Sequence, residues 1–129
     1  MSYPGHVCNL DPKKLLLSEK ELQEIDLKKP FRPHLVLGRT LLHGQTLLTV
    51  VPFQSNPPGV SYHYKVEVVA DPKTNGLLND SWILCSQILT VNTSALMPKR
   101  GELERVYMDK VLASVRAYLR IPCNHPQQP

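Results

Sequence analysis

Short apolar runs separated by turn residues occupy most of the chain up to residue 91. The runs cover residues 7–10, 34–37, 47–53, 62–68 and 81–89. The run 62–68 alternates polar and apolar side chains, as a half-buried strand does, whereas 81–89 is mostly apolar and fits a central strand. The pair 34–37 and 47–53 is joined through Gly38 and Gly44. The pattern therefore predicts five or six short β-strands.

The hydrophobic period changes near the C-terminus. Apolar residues between Glu102 and Leu119 fall on one helical face, at positions 103, 107, 111, 112, 115, 118 and 119. We expect this stripe to pack against the sheet. Residues 94–97, stopped by Pro98, predict a single helical turn. Several short strands with one terminal helix predict a mainly β fold, a small and strongly bent sheet or barrel.

The length of 129 residues predicts one domain over residues 1–129, with its core in residues 5–120. Residues 13–30 form a charged insertion, in which Ser18 and Glu21 have capping-box spacing. We expect this insertion to be a loop with a helical turn or two. The proline-containing segment 121–129 predicts a flexible tail.

Composition excludes some classes of protein. The hydrophobic share of 42% is ordinary, and no run reaches the roughly 20 apolar residues that span a bilayer. The first residues lack the basic and apolar regions of a secretory signal, so we expect a cytoplasmic protein without membrane contact. Cys8 and Cys85 lie in strand-like runs and are expected to be reduced core thiols. No Cys or His spacing indicates a metal site, and no cofactor is expected.

The net charge is +4, and residues 98–129 hold six basic against three acidic residues, a net of +3. The calculated pI of 9.1 permits nucleic-acid binding. A solvated surface with more Lys than acid explains the same charge equally well.

Arg32-Pro33 stands at the start of an apolar run. Proline fixes its own φ and favours an extended conformation in the residue before it, so Arg32 is held at a strand start. A guanidinium held in this way is preset for a phosphate. The alternative is a surface ion pair with one of the acidic residues of 19–26.

Six short segments follow one another along the chain as a set of motifs, at residues 5–12, 32–37, 50–54, 76–83, 87–92 and 101–103. Their order resembles the MazF/PemK family of bacterial toxin endoribonucleases. That family has, in the same order, an opening strand that ends in Pro, an Arg-Pro strand, a Val-Pro-Ile-Thr strand, a Gly-Leu segment before an apolar strand, a Gln-Ile-Arg-Thr-Ile-Asp motif and a Gly/Leu segment before its last helix.

This resemblance implies an SH3-like barrel of five to seven strands with a C-terminal amphipathic helix. It also implies a homodimer and an antitoxin protein that wraps the dimer. The implied activity is metal-independent cleavage of single-stranded RNA, in which the 2′-hydroxyl attacks the adjacent phosphate. Such chemistry needs groups that move the proton and cations or donors that hold the phosphorane charge.

The catalytic positions are only partly retained. Arg32 matches the family's Arg and is expected to stabilise the phosphorane. The family's Thr position is occupied by Gln54, the Arg of Gln-Ile-Arg-Thr by Leu89 and the closing Asp by Asn92. Gln54 either donates to a phosphate oxygen or is a polar strand end. Ser55 takes the Thr role if the register shifts by one residue.

Five further residues are candidates for binding the RNA. Gln87 is retained from the family motif and would place the strand. His63 is also a candidate for a replacement acid or base, and Tyr64 would either stack on an unpaired base or pack in the fold. Lys28 and Lys29 lie in the insertion, which in the family covers the RNA channel; they either contact RNA or belong to a solvated loop.

Two residues near these candidates have structural interpretations. We expect His34 to be a histidine whose ring is hydrogen-bonded to the backbone, and Trp82 to belong to the core.

The changes at Leu89 and Asn92 leave two alternatives to the toxin ribonuclease. One is a MazF/PemK-like nucleic-acid-binding or regulatory protein with impaired catalysis. The other is a barrel toxin that acts on a protein such as gyrase.

Overall fold

The computed structural model describes residues 4–11 and 32–120. The predicted insertion 13–30, with Lys28 and Lys29, and the predicted tail 121–129 lie outside the described residues. Cys123 also lies outside them.

The described chain forms strands and one long helix in the predicted order. The strands are β1 (His6–Leu10), β2 (Pro33–Leu42), β3 (Gln45–Gln54), β4 (Lys65–Val68), β5 (Ser81–Leu84), β6 (Leu89–Asn92) and β7 (Leu96–Glu102). A 3-10 turn (Thr93–Ala95) precedes β7, and helix α1 (Arg105–Leu119) follows it.

The strands form one seven-stranded antiparallel sheet in the order β4-β5-β3-β2-β1-β7, and β6 pairs with β3 beside this path. Strand β3 explains the bend of the sheet. Its residues 47–50 pair with β6, and its last residues, Phe53 and Gln54, pair with β5. Because one strand changes partner along its length, the sheet curves around its core. The prediction of a mainly β fold with five to seven strands and a C-terminal helix is confirmed.

Several boundaries differ from the sequence prediction. The run 81–89 is not one strand, because the chain turns after Leu84 and starts again as β6. Strand β4 begins only at Lys65, so residues 62–64 precede it. Strand β2 continues through Gly38, where a register shift interrupts its pairing with β3, and the hairpin turns at His43-Gly44.

Strand β7 was missed by the sequence prediction, which ended a helical turn at Pro98. Proline cannot donate a hydrogen bond to a neighbouring strand and is therefore tolerated on edge strands. Since β7 is the last strand of the sheet, Pro98 does not interrupt it. Helix α1 begins at Arg105 rather than at 102, because residues 96–102 are strand.

Two clusters of buried residues form the core. The larger lies between the sheet and α1 and includes Val7, Leu35, Val51, Phe53, Val66, Val68, Leu77, Ile83, Cys85, Leu103 and Val111. The smaller comprises Leu10, Val36, Leu48, Val50, Val91 and Ala95. Cys8 and Cys85 are buried thiols, as predicted.

The apolar stripe of α1 packs only in part. Val111 is fully buried, and Tyr107 and Val115 pack against the larger cluster. Leu112 and Leu119 remain 42% and 49% exposed. The prediction that the whole stripe is packing surface is therefore wrong for these positions within the described chain.

Candidate active site

A pocket of about 550 Å³ opens where four segments of the chain meet. These segments are the start of β2, the end of β3, the connection from Leu77 to Ser81, and β7. The pocket is lined by Arg32, Pro33, Phe53, Gln54, Ser55, Asn56, Leu77, Leu78, Asn79, Ser81 and Arg100.

Antiparallel pairing brings the predicted catalytic residues together. His34 of β2 lies opposite Pro52 of β3, so the beginning of one strand adjoins the end of the other. Arg32, Gln54 and Ser55 therefore line one pocket. All three residues of the predicted catalytic set are within this site.

The backbone of Arg32 is fixed, whereas its side chain is exposed. Its carbonyl oxygen lies 2.9 Å from Nδ1 of His34 and accepts a hydrogen bond from the Leu10 amide at 3.1 Å. The interpretation of His34 as a histidine satisfied by the backbone is thereby confirmed. Burial lowers the pKa of His34, and the nearby Arg32 charge acts in the same direction. The ring is therefore neutral near pH 7 and holds the backbone that carries Arg32.

Gln54 and Ser55 offer different groups to the pocket. Gln54 is half-buried, and its Nε2 donates to the carbonyl of Asn56 at 2.8 Å. Ser55 is exposed beyond the end of β3. One amide side chain is thus held by the loop, whereas the hydroxyl beside it is open to solvent.

Arg100 is the lining residue that sequence reasoning missed. Its side chain is part-buried on β7; Nε donates to the Gly76 carbonyl at 2.9 Å, and Nη1 donates to Oδ1 of Asn9 at 2.7 Å. Both acceptors are neutral. The sequence held no local signal for this residue, because the pairing of β7 with β1 brings it to the pocket.

The polar part of the described lining consists of cations and neutral groups, beside the apolar side chains of Pro33, Phe53, Leu77 and Leu78. Two guanidinium groups share the pocket with amides and hydroxyls, and none of the lining residues given above is Asp, Glu or His. An arrangement of this kind suits a bound anion such as a phosphate.

His63 and Tyr64 line a different pocket, of about 680 Å³, between β4 and α1. Lys110 and Ser114 of α1 lie on its other side. The Tyr64 ring makes an edge contact with the Tyr118 ring, with centroids 5.2 Å apart. The ring of Tyr64 is thus already engaged in aromatic packing.

The remaining motif residues lie away from the Arg32 pocket. Gln87 is exposed on the turn between β5 and β6, where its backbone N–H donates to the Leu84 carbonyl at 3.1 Å. Leu89 packs against the smaller core cluster. Asn92 caps the 3-10 turn, since its Oδ1 accepts from the Ser94 amide at 3.0 Å. Trp82 is half-buried rather than fully enclosed in the core.

The turn beside the pocket is organised by a buried amide. Asn75 is fully buried; its Oδ1 accepts from the Leu77 amide at 3.1 Å, and its Nδ2 donates to the Val69 carbonyl at 3.0 Å. Asp80 holds the same connection from outside, since its Oδ1 accepts from the Ala70 amide at 2.8 Å. These bonds fix the position of Leu77 in the pocket wall.

A buried thiol and a histidine outside the pocket also have shifted pKa values. Burial raises the pKa of the Cys85 thiol, which is therefore protonated near neutral pH. Burial also lowers the pKa of His6, with a smaller contribution of the same sign from Lys99. Neither group belongs to the Arg32 pocket.

Within residues 4–11 and 32–120, no group of three or more His, Cys, Asp or Glu side chains is placed to hold a metal ion. No helix in the same ranges is long and apolar enough to cross a bilayer.

Solved structures share this fold over nearly the whole chain. An endoribonuclease in complex with its cognate antitoxin from a mycobacterial species is 15% identical, with a TM-score of 0.63, covering 95% of this chain and 99% of that one. The Mycobacterium tuberculosis toxin MazF-mt6 is 20% identical, with a TM-score of 0.62, covering 94% and 100%. A MazE–MazF structure from Deinococcus radiodurans is 15% identical, with a TM-score of 0.59, covering 92% and 94%.

At these identities, the structural likenesses establish the fold alone. No curated protein sequence matches the chain. The family model of the PemK-like, MazF-like toxins matches residues 8–119. This range contains β1 from Cys8 onward, all the other strands and the whole of α1. The chain belongs to the family of PemK-like, MazF-like toxins of type II toxin–antitoxin systems.

Proposed function

We propose that this protein is a toxin endoribonuclease that cleaves single-stranded RNA without a metal ion. The observation that carries the proposal is the pocket in which Arg32, Gln54 and Ser55 meet. Its size and its cationic, donor-rich lining suit one phosphodiester and its flanking groups. Ribonuclease activity is general to the family, and the pocket offers the phosphate-binding chemistry that this activity needs.

The proposed reaction is a transfer within the RNA strand. The 2′-oxygen forms a bond to phosphorus while the bond from phosphorus to the 5′-oxygen breaks. The 2′-hydroxyl loses its proton and the leaving 5′-oxygen gains one, which gives a 2′,3′-cyclic phosphate and a 5′-hydroxyl. Negative charge develops on the non-bridging oxygens, so donors aimed at them lower the barrier.

Arg32 is the residue that we assign to this charge. Its guanidinium can donate two parallel hydrogen bonds to phosphate oxygens, and its backbone is fixed by His34 and Leu10. Gln54 and Ser55 supply neutral donors on the other strand of the pocket. In the family, Gln87 belongs to a motif tied to the site; here it would contact RNA outside this pocket, as would His63 and Tyr64.

The proposed partners are single-stranded RNA, a cognate antitoxin and a second copy of this chain in a cytoplasmic homodimer. Support for the antitoxin comes from the similar structures, one of which is described as an endoribonuclease in complex with its cognate antitoxin. The residues 13–30 of the insertion, including Lys28 and Lys29, remain candidates for contacts with RNA.

A second candidate function is RNA binding with little or no cleavage. Two observations favour it. The described lining of the pocket lacks Asp, Glu and His, which are the usual groups for proton transfer. Asn92 and Leu89 also serve the fold, since one caps a turn and the other packs in the core.

The test is incubation of purified protein with a long single-stranded RNA in EDTA, beside the variants Arg32→Ala and Arg105→Ala. Arg105 is the matched control, because its side chain is 90% exposed on α1 and lies outside the pocket. Cleavage should persist in EDTA and in the control, and should fall by at least about 100-fold in Arg32→Ala.

Three results would contradict this expectation in different ways. Undiminished cleavage by Arg32→Ala would remove Arg32 from the chemistry. Binding of the RNA without cleavage at any protein concentration would favour the second candidate. Growth inhibition with intact RNA, together with a captured protein target, would indicate a toxin of the gyrase-poison kind.

A further inference from the structure

Arg100 lines the same pocket as Arg32, although it comes from the opposite end of the chain. Strand β1 brings it there, because β1 pairs with β2 on one side and with β7 on the other. Arg32 precedes β2 and Arg100 lies in β7, so the β1 strand separates the two cations. The pocket therefore contains two positive charges, one just before β2 and the other on β7.

The charge of Arg100 is not neutralised by the groups that hold it. A guanidinium has five N–H donors. One is donated to the Gly76 carbonyl and one to the Asn9 amide oxygen, and both acceptors are uncharged. The remaining donors and the full positive charge stay available for an anion in the pocket.

The side chain is also held in place before any ligand arrives. The two hydrogen bonds of 2.9 and 2.7 Å fix the plane of the guanidinium. The backbone is fixed as well, because Gly76 and the Arg100 carbonyl are packed against each other with no room for a Cβ at position 76. A residue that is already ordered loses little conformational entropy on binding.

We propose that Arg100 is a second phosphate-binding residue of this pocket, contacting the RNA backbone beside Arg32. Leu89 stands where the family's motif has an Arg, and it is an uncharged side chain that packs against the smaller core cluster. Arg100 would supply the positive charge that is absent at that position. This inference rests on the proposed function, since it assumes that RNA enters the pocket.

The test separates the positive charge of Arg100 from its role as a tether, that is, from the two hydrogen bonds that join its side chain to Gly76 and Asn9. Binding of a mixed-sequence 2′-O-methyl RNA, which cannot be cleaved, is measured at several salt concentrations. Each phosphate contact to a single strand contributes about 0.7 to the slope of log affinity against log salt. Arg100→Gln should reduce the slope by about 0.7 and weaken binding several-fold at low salt, whereas Arg100→Lys should retain the slope.

A second variant changes the charge and keeps the tether. Asn9→Asp places a carboxylate where the neutral acceptor of Nη1 now stands, so the hydrogen bond is kept and the charge is compensated. It should reduce the salt slope as Arg100→Gln does, with no loss of thermal stability. Asn92→Asp adds the same charge outside the pocket, and Arg105→Gln removes one there; both should leave the slope unchanged.

The possible results separate this inference from the proposed function. An unchanged slope in Arg100→Gln or Asn9→Asp, with RNA still bound, would overturn the role of Arg100 alone. Equal loss of slope in Arg100→Lys and Arg100→Gln would show that Arg100 acts only as a tether, and would also overturn it. If the unaltered protein neither binds the 2′-O-methyl RNA nor cleaves its unmodified form, the proposed function fails and this inference fails with it.

Discussion

Gly101 of β7 packs directly on the backbone of Asn75. A Cβ atom at position 101 would lie 2.6 Å from the Gly76 nitrogen and still closer to the Asn75 carbonyl. Both neighbours are backbone atoms and cannot rotate away. The turn after β4 and the strand that carries Arg100 are therefore in direct contact, and only glycine fits between them.

We expect Gly101→Ala to lower the free energy of unfolding by about 3 kcal/mol, the upper end of the usual cost of overpacking. Urea denaturation measures this loss. Gly38→Ala is the matched control, because a Cβ at Gly38 meets nothing within 4 Å, and its effect should be small. Equal stability of the two variants would contradict the close packing of β7 on the turn.

The roles of Gln54 and Ser55 can be separated by single substitutions. We expect Gln54→Ala to lower the rate of RNA cleavage by about 10-fold to 100-fold, because it removes a hydrogen-bond donor from the pocket that holds the phosphate. It should also free the loop carbonyl of Asn56. Rates with the same RNA, measured at saturating concentration, distinguish a loss in kcat from a loss in binding.

Ser55→Ala tests the alternative register. If the hydroxyl of Ser55 takes the role of the family's Thr, this variant loses more activity than Gln54→Ala. Ser61→Ala is a control for loss of an exposed hydroxyl outside the pocket lining. Full activity in both pocket variants would remove the end of β3 from the proposed site.

Asn92 should act in stability and not in the reaction. Its side chain caps the 3-10 turn and also donates to Gln45 at 3.3 Å. Loss of a capping side chain costs about 1 kcal/mol, so Asn92→Ala should lower the unfolding free energy by about that amount. Cleavage well below the melting temperature should be unchanged. A large loss of kcat with unchanged stability would instead place Asn92 in the chemistry.

Acid should destabilise the fold through His34. Burial lowers the pKa of His34 below its usual value of 6.5, so below that pH the unfolded chain binds a proton more readily than the folded one. The contribution of His34 to the free energy of unfolding is therefore fully present above about pH 6.5. It decreases as the pH falls toward the lowered pKa, by at most about 1.4 kcal/mol for each pH unit. Urea denaturation at pH 7.5, 6 and 5 measures this slope.

His34→Gln should flatten the dependence on pH, because it removes the half-buried titrating ring. The exposed His63 supplies the matched variant, His63→Gln, which controls for loss of an imidazole from the surface. A slope that survives His34→Gln unchanged would assign the acid sensitivity to another group. His6 is the next candidate, since its pKa is shifted in the same direction.

The sequence predicted the strands and the helix well where hydrophobic period and turn residues agreed. The alternating residues before Val68 and the period of the C-terminal helix belong to this class. The break between β5 and β6 was not predicted, because residues 81–89 contain neither Gly nor Pro. The turn is instead held by hydrogen bonds to distant parts of the chain. In one of them the Cys85 backbone amide donates to the Tyr64 carbonyl at 2.8 Å.

The candidate site was predictable only in part, for a similar reason. Arg32 carries a local signal, since Pro33 and the apolar run mark it as a strand start. Arg100 carries none; it sits in a stretch that reads as a basic surface segment after Pro98. Its place in the pocket depends on the pairing of β7 with β1, a long-range contact that periodicity does not reveal.

The position of β7 has a consequence for the timing of synthesis. A ribosome releases the segments that carry Arg32 and Gln54 well before it releases β7. The nascent chain therefore exposes one guanidinium without the second, and the edge of β1 stays unpaired until the last strand arrives. The two-cation pocket exists only once β7 has been synthesised, because Arg100 belongs to that strand. If RNA enters this pocket as proposed, the growing polypeptide binds RNA more weakly than the finished protein does.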